Sequence, residues 1–361
     1  MTRTQTAIPC AILRGGTSRG VYFRQQDLPD DESLRDRILL QIMGGPDALQ
    51  IDGIGGGHPL NNKVAIVSSS EQDDADIDYL FLQVVPKESR VSDVQNCGNI
   101  LAGVGPFAIE TGLIGAESPR TQIRVHMVNS GNTCELTVES PDGVVNYEGE
   151  TEIDGVPGSA AAVVCDFLDI AGSACGGLLP TGNKNDTIDD VRMTCIDNGM
   201  PVVVLRAADF GISGYESPEE LDANPELKSR LESLRRQAGP LMNLGNVTEL
   251  TVPKMCLVAE PRSGGNICTR TFIPHACHRS VGVLGAVTVA TACLLPGSAA
   301  NGIAVVPEGD EKMMVVEHPS GSFPARLVTS TDDRGIVQIN KAGVVRTARM
   351  LFRGEAFVRN E

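Results

Sequence analysis

The feature that most constrains the fold of this chain is a pair of apolar, glycine-rich stretches, each entered through a short polar segment. Residues 96–114 read NCGNILAGVGPFAIETGLI, and residues 270–295 read RTFIPHACHRSVGVLGAVTVATACLL. A helix that is apolar on all sides is expected to be buried. Strand-like segments precede and follow each stretch, so the sequence predicts a weak internal duplication in which each half wraps a sheet around one buried helix.

Length and composition agree with two halves. The chain has 361 residues, of which 41% are hydrophobic and 4% aromatic, and a domain typically takes about 150 residues. We expect an α+β fold of two pseudo-symmetric halves, residues 1–150 and 151–345. Each half is a curled, mostly antiparallel sheet around a central apolar helix, with the active site in the cleft between them. The C-terminal strand 346–361 is expected to join the first half.

Charge and cysteine usage exclude several classes of partner. The net charge of −16 disfavours nucleic acid and anionic membranes, but it does not exclude a small anionic substrate. The sequence contains no run of about 18 apolar residues, which a transmembrane helix would need. The first segment, MTRTQTAIPCAILRGG, is typical of a first strand. The ten cysteines form no CxxC pair, so we expect free thiols and a cytoplasmic protein.

Three local patterns predict helices. The segment DLPDDESLRDRILLQIMGG predicts a helix capped by Asp27 or Asp30 and ended by glycines. The apolar helix from Cys97 to Gly112 contains Pro106, which predicts a kink or a later start. The charged segment 216–242 predicts a surface-facing helical stretch.

Cys97 lies at the predicted N-terminus of the first apolar helix, beside Asn96 and Asn99. A thiolate is stabilised there, and the thiol could exchange a proton near neutral pH. A buried structural cysteine is the alternative. The spacing alone does not decide between them.

Lys63 stands directly before the apolar strand VAIVSSS. A lysine that is desolvated at such a position gives up its proton more readily and can act as a base. A solvated lysine at the end of a strand is the commoner alternative.

Two further segments have the composition of anion sites. LRGGTSRG, residues 13–20, offers Arg14, Arg19, two hydroxyls and several backbone N–H groups; a plain hairpin turn is the alternative. TRTFIPHACHRS, residues 269–280, precedes the second apolar helix, and its HxCH spacing fits no standard zinc pattern. We interpret it as an anion-binding helix entrance.

Several motifs are absent from the sequence. It contains no GxGxxG after a strand, no GxxxxGK[ST] and no GxSxG. Dinucleotide, nucleoside triphosphate and serine-hydrolase chemistry are therefore disfavoured.

Four ordered segments resemble the PrpF family, whose members share the diaminopimelate-epimerase fold. They are PCAILRGGTSRGVYF, IDGIGGGHPLNNKVAIV, NCGNILAGVGPFAIE and CTRTFIPHACHRSVGVLGAV, and the resemblance covers essentially the whole chain. It implies two similar halves, no metal and no organic cofactor. It also implies that Lys63 and Cys97 are the catalytic pair and that residues 15–18 help to hold a substrate carboxylate.

The resemblance and the two anion-type segments together give a set of candidate substrate-binding residues. They are Gly15, Gly16, Thr17, Ser18, Arg19, Asn62, Asn96, Gly98, Asn99, Arg270, His275, His278 and Ser280.

The second helix entrance departs from the epimerase pattern, in which both entrances carry a cysteine. Here it reads HACHRSVG, with Cys277 upstream and Ser280 nearby. A lysine–cysteine pair suits a proton shift between two carbons, or between carbon and oxygen, better than inversion of one centre.

Segments such as IDGVPG, LLPTGN and TCIDNGMPVV resemble the family members that tautomerise 4-oxalomesaconate, a tricarboxylate of gallate breakdown. We therefore expect a cofactor-independent keto–enol tautomerisation or 1,3-proton shift of that acid. The first alternative is an allylic double-bond isomerase of methylitaconate or aconitate. The second is a non-catalytic tricarboxylate-binding accessory protein. The sequence is also compatible with a homo-oligomer.

Overall fold

The computed structural model describes residues 4–94, 96–331 and 337–360. The chain divides into two compact units. Unit 1 comprises Met1–Cys165 and Val345–Glu361, and unit 2 comprises Asp166–Val344. The division falls later than residue 150 because the intervening segment pairs back onto unit 1, where Ala161 N–H donates to the Tyr147 carbonyl at 3.1 Å and the strand Ala162–Phe167 is a neighbour of the strand Asn132–Glu139.

In the residues that the structure describes, unit 1 contains short strands and three α-helices. The strands are β1 Gln5–Gly15, β2 Ser18–Arg24, β3 Lys63–Ser69, β4 Ile77–Val85, β5 Arg90–Ser92, β6 Arg120–Met127 and β7 Asn132–Glu139. The helices are α1 Glu32–Met43, α2 Gly98–Leu101 and α3 Val104–Glu110.

Later in the chain, two strands run through the division and the rest belong to unit 2. The strands are β8 Ala162–Phe167, β9 Asp186–Ile188, β10 Val191–Asp197, β11 Pro201–Arg206, β12 Lys254–Ala259, β13 Ile267–Phe272, β14 Glu311–His318, β15 Gly321–Thr331 and β16 Val337–Arg359. The helices are α4 Pro218–Asp222, α5 Pro225–Leu241 and α6 Val283–Leu294.

The sheet of unit 1 curls until it closes on itself. Its order is β1-β2-β3-β4-β6-β7-β8-β16, and β16 also pairs with β1. The pairs β2–β3 and β4–β6 are parallel, whereas β1–β2, β3–β4, β6–β7 and β1–β16 are antiparallel. The mostly antiparallel, curled sheet expected from the sequence is confirmed.

Helices α2 and α3 fill the inside of this curl. Ile100, Leu101 and Phe107 are at most 2% exposed, and Gly105 lies so close to Val138 of β7 that a Cβ would meet it at 2.8 Å. The break between the two helices confirms the kink predicted from Pro106. On the outer face of the sheet, α1 packs its apolar side against β2, β3 and β4.

Unit 2 follows the same plan. Its strand order is β16-β15-β14-β13-β12-β11-β10-β9, and α6 is buried from Gly285 to Leu294. Contacts from β10, β11, β14 and β15 surround α6, while α5 packs on the other face of the sheet. Within the described residues, no helix has the length and apolar character needed to cross a membrane.

Two helix predictions need correction. Helix α1 is capped by Asp31, which accepts from the Leu34 N–H, instead of Asp27 or Asp30. The charged segment 216–242 is helical as expected, but it forms two helices, because Asn224 caps a new helix that begins at Pro225. Helix α5 buries an apolar face against the sheet of unit 2.

Candidate active site

Lys63 is the first residue of β3 and lies between Gly20 of β2 and Gln83 of β4. Neighbouring Val64 packs on the outer face with α1, so the alternation of side chains along a strand directs Lys63 inward. The Nζ lies 5.1 Å from the centroid of the Phe81 ring. It donates a hydrogen bond to Sγ of Cys97 at 3.3 Å. The sequence candidates for the catalytic pair are therefore in direct contact.

Cys97 is the N-cap residue of α2 and is 9% exposed. Its carbonyl accepts from the Leu101 N–H at 3.0 Å and from the Tyr79 hydroxyl at 3.2 Å. Helix α2 has only 4 residues. Its N-terminus therefore stabilises a thiolate less than a helix running to Gly112 would, because the dipole grows with aligned peptides. The basic group that directly contacts the thiol is the side-chain nitrogen of Lys63.

Two buried tyrosines hold the start of the broken helix. The Tyr22 hydroxyl donates to the carbonyl of Ile100 at 2.6 Å, and Tyr79 holds Cys97 as described above. Burial is the main cause that raises the pKa of both phenols well above the usual value, so both stay neutral donors. Gly103 leaves room for the Tyr22 hydroxyl, which a Cβ there would strike.

The turn between β1 and β2 packs directly against α2. The Asn99 amide donates to the Thr17 hydroxyl at 3.2 Å and accepts from the Thr17 N–H at 3.4 Å. Gly15 and Gly16 face the backbone and side chain of Asn99 with no space for a Cβ, and Gly16 has a φ of +50°. Only glycine meets both conditions without strain.

Ser18 is 3% exposed, and its Oγ has no hydrogen-bond partner among the residues that the structure describes. It lies two residues before Gly20, which neighbours Lys63 across the β2–β3 pair. Residues two apart in a strand face the same side of a sheet. An unsatisfied buried hydroxyl is costly, so Ser18 offers a hydrogen bond to a group bound on the Lys63 side.

The remaining sequence candidates of unit 1 are divided between the outer face of the sheet and the residues next to Cys97. Arg19 alternates with Ser18 and shares the outer face with Val21. The Asn62 side chain exchanges two hydrogen bonds with Gln50, at 2.8 and 3.0 Å. The two side chains also accept from the N–H groups of Gly56 and Gly57, and so support the glycine loop, residues 55–57, before β3. Asn96 is exposed beside Cys97, and Gly98 is the first residue of α2.

The candidates of unit 2 are spread along one segment. The Arg270 guanidinium donates to the carbonyls of Glu216 and Thr269, at 2.6 and 2.9 Å. His275 is exposed, with Nδ1 3.7 Å from a Glu232 carboxylate oxygen. These contacts make Arg270 and His275 parts of the local structure around β13 and α5.

His278 and Ser280 contact each other, and Ser280 also lies near His318. Nδ1 of His278 accepts from the Ser280 N–H at 2.8 Å, and the Ser280 hydroxyl lies 3.3 Å from Nε2 of His318. Burial, followed by the charge of Lys254, lowers the pKa of His278. In the part of the chain that the structure describes, no three His, Cys, Asp or Glu side chains gather as metal ligands.

Sequence reasoning did not single out Lys254. It is the first residue of β12, parallel to β11 and antiparallel to β13, which is the strand arrangement around Lys63 in unit 1. Burial, and then the charge of Arg235, lowers its pKa to about 8. The signal was available, because a lysine precedes an apolar strand in both PKMCLVA and NKVAIV.

The chain resembles known proteins over nearly its whole length. Residues 5–359 match the family model described as PrpF protein. The chain is 56% identical over 350 residues to 4-oxalomesaconate tautomerase of Pseudomonas putida KT2440, covering 97% of this chain and 96% of that protein. It is 54% identical over 356 residues to (4E)-oxalomesaconate Delta-isomerase of Novosphingobium sp. KA1, covering 99% of both.

A solved structure of methylitaconate-delta-isomerase has the same fold. It superimposes with a TM-score of 0.89 and 33% sequence identity, covering 99% of this chain and 97% of that one.

Proposed function

Because the chain belongs to the PrpF family, we propose that it is an isomerase that moves a proton on 4-oxalomesaconate without a cofactor. The observation that carries the proposal is the 3.3 Å contact between Lys63 Nζ and Cys97 Sγ. An amine and a thiol at this distance can serve as one general acid and one general base. The two relatives at 54–56% identity, both named for oxalomesaconate, support this acid as the substrate.

The reaction moves one proton and involves no net oxidation or reduction. Lys63, as the neutral amine, takes a proton from a carbon next to a carbonyl or from the enol oxygen. The electron pair spreads into a delocalised dienolate. The Cys97 thiol then gives its proton to another atom of the conjugated frame. The pair is left as ammonium and thiolate, and transfer across the 3.3 Å contact restores amine and thiol.

The turn between β1 and β2 supplies groups for the negative charge of the intermediate. Ser18 has an unsatisfied buried hydroxyl, and Thr17 and Asn99 fix the turn against α2. We propose that Ser18 and neighbouring backbone N–H groups hold a substrate carboxylate. A donor aimed at developing oxyanion charge contributes about 2.7–4 kcal/mol to the transition state.

An allylic double-bond shift is the second candidate. It is favoured by the similarity to methylitaconate-delta-isomerase, and the same lysine–cysteine pair could perform it. We also propose that the substrate is a tricarboxylate. The proposed compartment is the cytoplasm, which suits ten free and buried thiols.

Proton NMR in D₂O distinguishes the candidates. We expect 4-oxalomesaconate to take up deuterium and change isomer faster than methylitaconate or aconitate. Cys97→Ser and Lys63→Met should each lower the rate about 10²–10⁴-fold with unchanged circular dichroism. Lys87→Met, an exposed lysine of the same unit, is the matched control and should keep the rate.

Three results would contradict the proposal. A near-full rate in Cys97→Ser would remove the thiol from the mechanism. Faster turnover of methylitaconate would favour the allylic isomerase. Tight binding of all three acids without deuterium uptake would indicate an accessory protein.

A further inference from the structure

Three arginines stand side by side on adjacent strands of unit 1. Arg14 of β1 is directly opposite Arg19 of β2 and directly opposite Arg349 of β16. Neighbouring strands are about 4.8 Å apart, so the row extends over about 10 Å. We call these three side chains the arginine row.

The arginine row lies on the outer face of the sheet. Val21, two residues after Arg19, packs in the outer core with α1, and side chains two apart share a face. Gly20, between them, neighbours Lys63 on the inner face. The row is therefore on the opposite face from the contact between Lys63 and Cys97.

Like charges directly opposite on a sheet destabilise it unless an opposite charge offsets them. Within residues 4–94, 96–331 and 337–360, no carboxylate forms an ion pair with Arg14, Arg19 or Arg349. Arg14 donates to neutral oxygens of Gly16 and Thr347, at 2.9–3.1 Å.

The surroundings add to the electrostatic cost. Burial, and then the charge of Arg349, lowers the pKa of Arg14. Many other arginines of this acidic chain do contact carboxylates, as Arg24 does with Asp27 at 2.8 Å and Arg326 with Asp166 at 2.6 Å. The arginine row differs from these arginines although acidic residues outnumber basic ones in the chain, 46 to 30.

We propose that the arginine row is a second anion-binding site, which holds a multiply charged oxyanion through its carboxylate or phosphate oxygens. Planar guanidinium groups bind such oxygens in pairs, and three of them side by side on adjacent strands suit a molecule with more than one charged group. The glycine loop forms a wall beside it, since a Cβ on Gly56 would lie 2.8 Å from Nη2 of Arg19.

Calorimetric titration of the full chain at low ionic strength, with citrate and with inorganic pyrophosphate, tests this site. We expect saturable binding of at least one anion, and the tighter of the two identifies a carboxylate or a phosphate source. Arg349→Gln, at an exposed residue, should weaken binding about tenfold or more. Arg349→Lys should weaken it less, because the charge remains while the fork is lost.

Arg359→Gln is the matched control, since Arg359 is exposed on the same strand and pairs with Asp52 at 2.7 Å. It should bind both anions as the unmodified chain does. Without anion, Arg349→Gln should unfold at the same or a higher temperature, because one repulsion is removed. Its isomerase kcat/KM should be unchanged, which separates this site from the proposed active site.

Two outcomes would overturn the arginine row as a site. One is the absence of binding by either anion at millimolar concentration. The other is binding that Arg349→Gln does not weaken, which would place the anion elsewhere, including on the Lys63 side of the sheet.

Discussion

Cys97 differs from the other cysteines in its electrostatic surroundings. All ten thiols are free and buried, and burial raises the pKa of seven of them: Cys10, Cys175, Cys195, Cys256, Cys268, Cys277 and Cys293. Cys268 also contacts a cation, with Nη1 of Arg270 3.5 Å from its sulfur, but burial still dominates there. Only a thiolate reacts readily with alkylating agents.

We therefore predict that iodoacetamide near neutral pH alkylates native Cys97 before any other thiol, with loss of isomerase activity. Peptide mass spectrometry identifies the site. Lys63→Met should slow the labelling at least several-fold, because the Lys63 nitrogen that takes the thiol proton across the 3.3 Å contact is lost. First modification at Cys268, or labelling unaffected by Lys63→Met, would contradict the prediction.

At the scale of helices and strands, periodicity and composition predicted some features well and others poorly. The two apolar helices and the kink near Pro106 are present, since uniform apolarity and proline act locally. The face that a strand residue occupies was not predictable. Arg19 was a candidate for substrate binding because of the LRGGTSRG segment, and Asn62 because of the family resemblance. Alternation in β2 places Arg19 on the face opposite Lys63, and the Asn62 side chain pairs with Gln50.

Contacts between distant segments were equally hidden. Nothing local in the sequence pairs Tyr22 with Ile100 or Tyr79 with Cys97, because these bonds depend on how β2 and β4 curl around α2. In the sequence, the duplication was visible only as the similar composition of the two apolar, glycine-rich stretches. Its structural meaning, a lysine at the start of the same strand in each unit, required the strand pairing.

The junction between α2 and α3 provides a test at this scale. Gly103→Ala would place a Cβ against the Tyr22 hydroxyl, so we expect a loss of about 1–3 kcal/mol in the free energy of unfolding. Urea denaturation measures it. Gly115→Ala, where a Cβ meets nothing within 4 Å, is the control and should change little. Equal stability of the two variants would show that Tyr22 moves aside freely.

For the whole molecule, buried titratable groups determine how stability depends on pH. Burial raises the pKa of Cys10 and Cys277 to about 11, and of Cys175, Cys195 and Cys256 to about 12, from 9.0. Above pH 9 the unfolded chain has lost these protons while the native chain keeps them. The unfolded state then binds fewer protons, so stability falls as the pH rises.

Lys254 acts in the opposite direction and over a lower range. Its pKa is about 8 in the native chain against 10.5 ordinarily, so between these values the unfolded state binds the extra proton and stability rises with pH. One lysine opposes several thiols. We predict that the calorimetric unfolding temperature, measured in reductant, changes little or rises up to about pH 9 and falls beyond about pH 10. Lys254→Met should abolish any rise and leave the fall. An unfolding temperature that keeps rising through pH 11 would show that the thiols ionise in the native chain, and that its core is open to solvent.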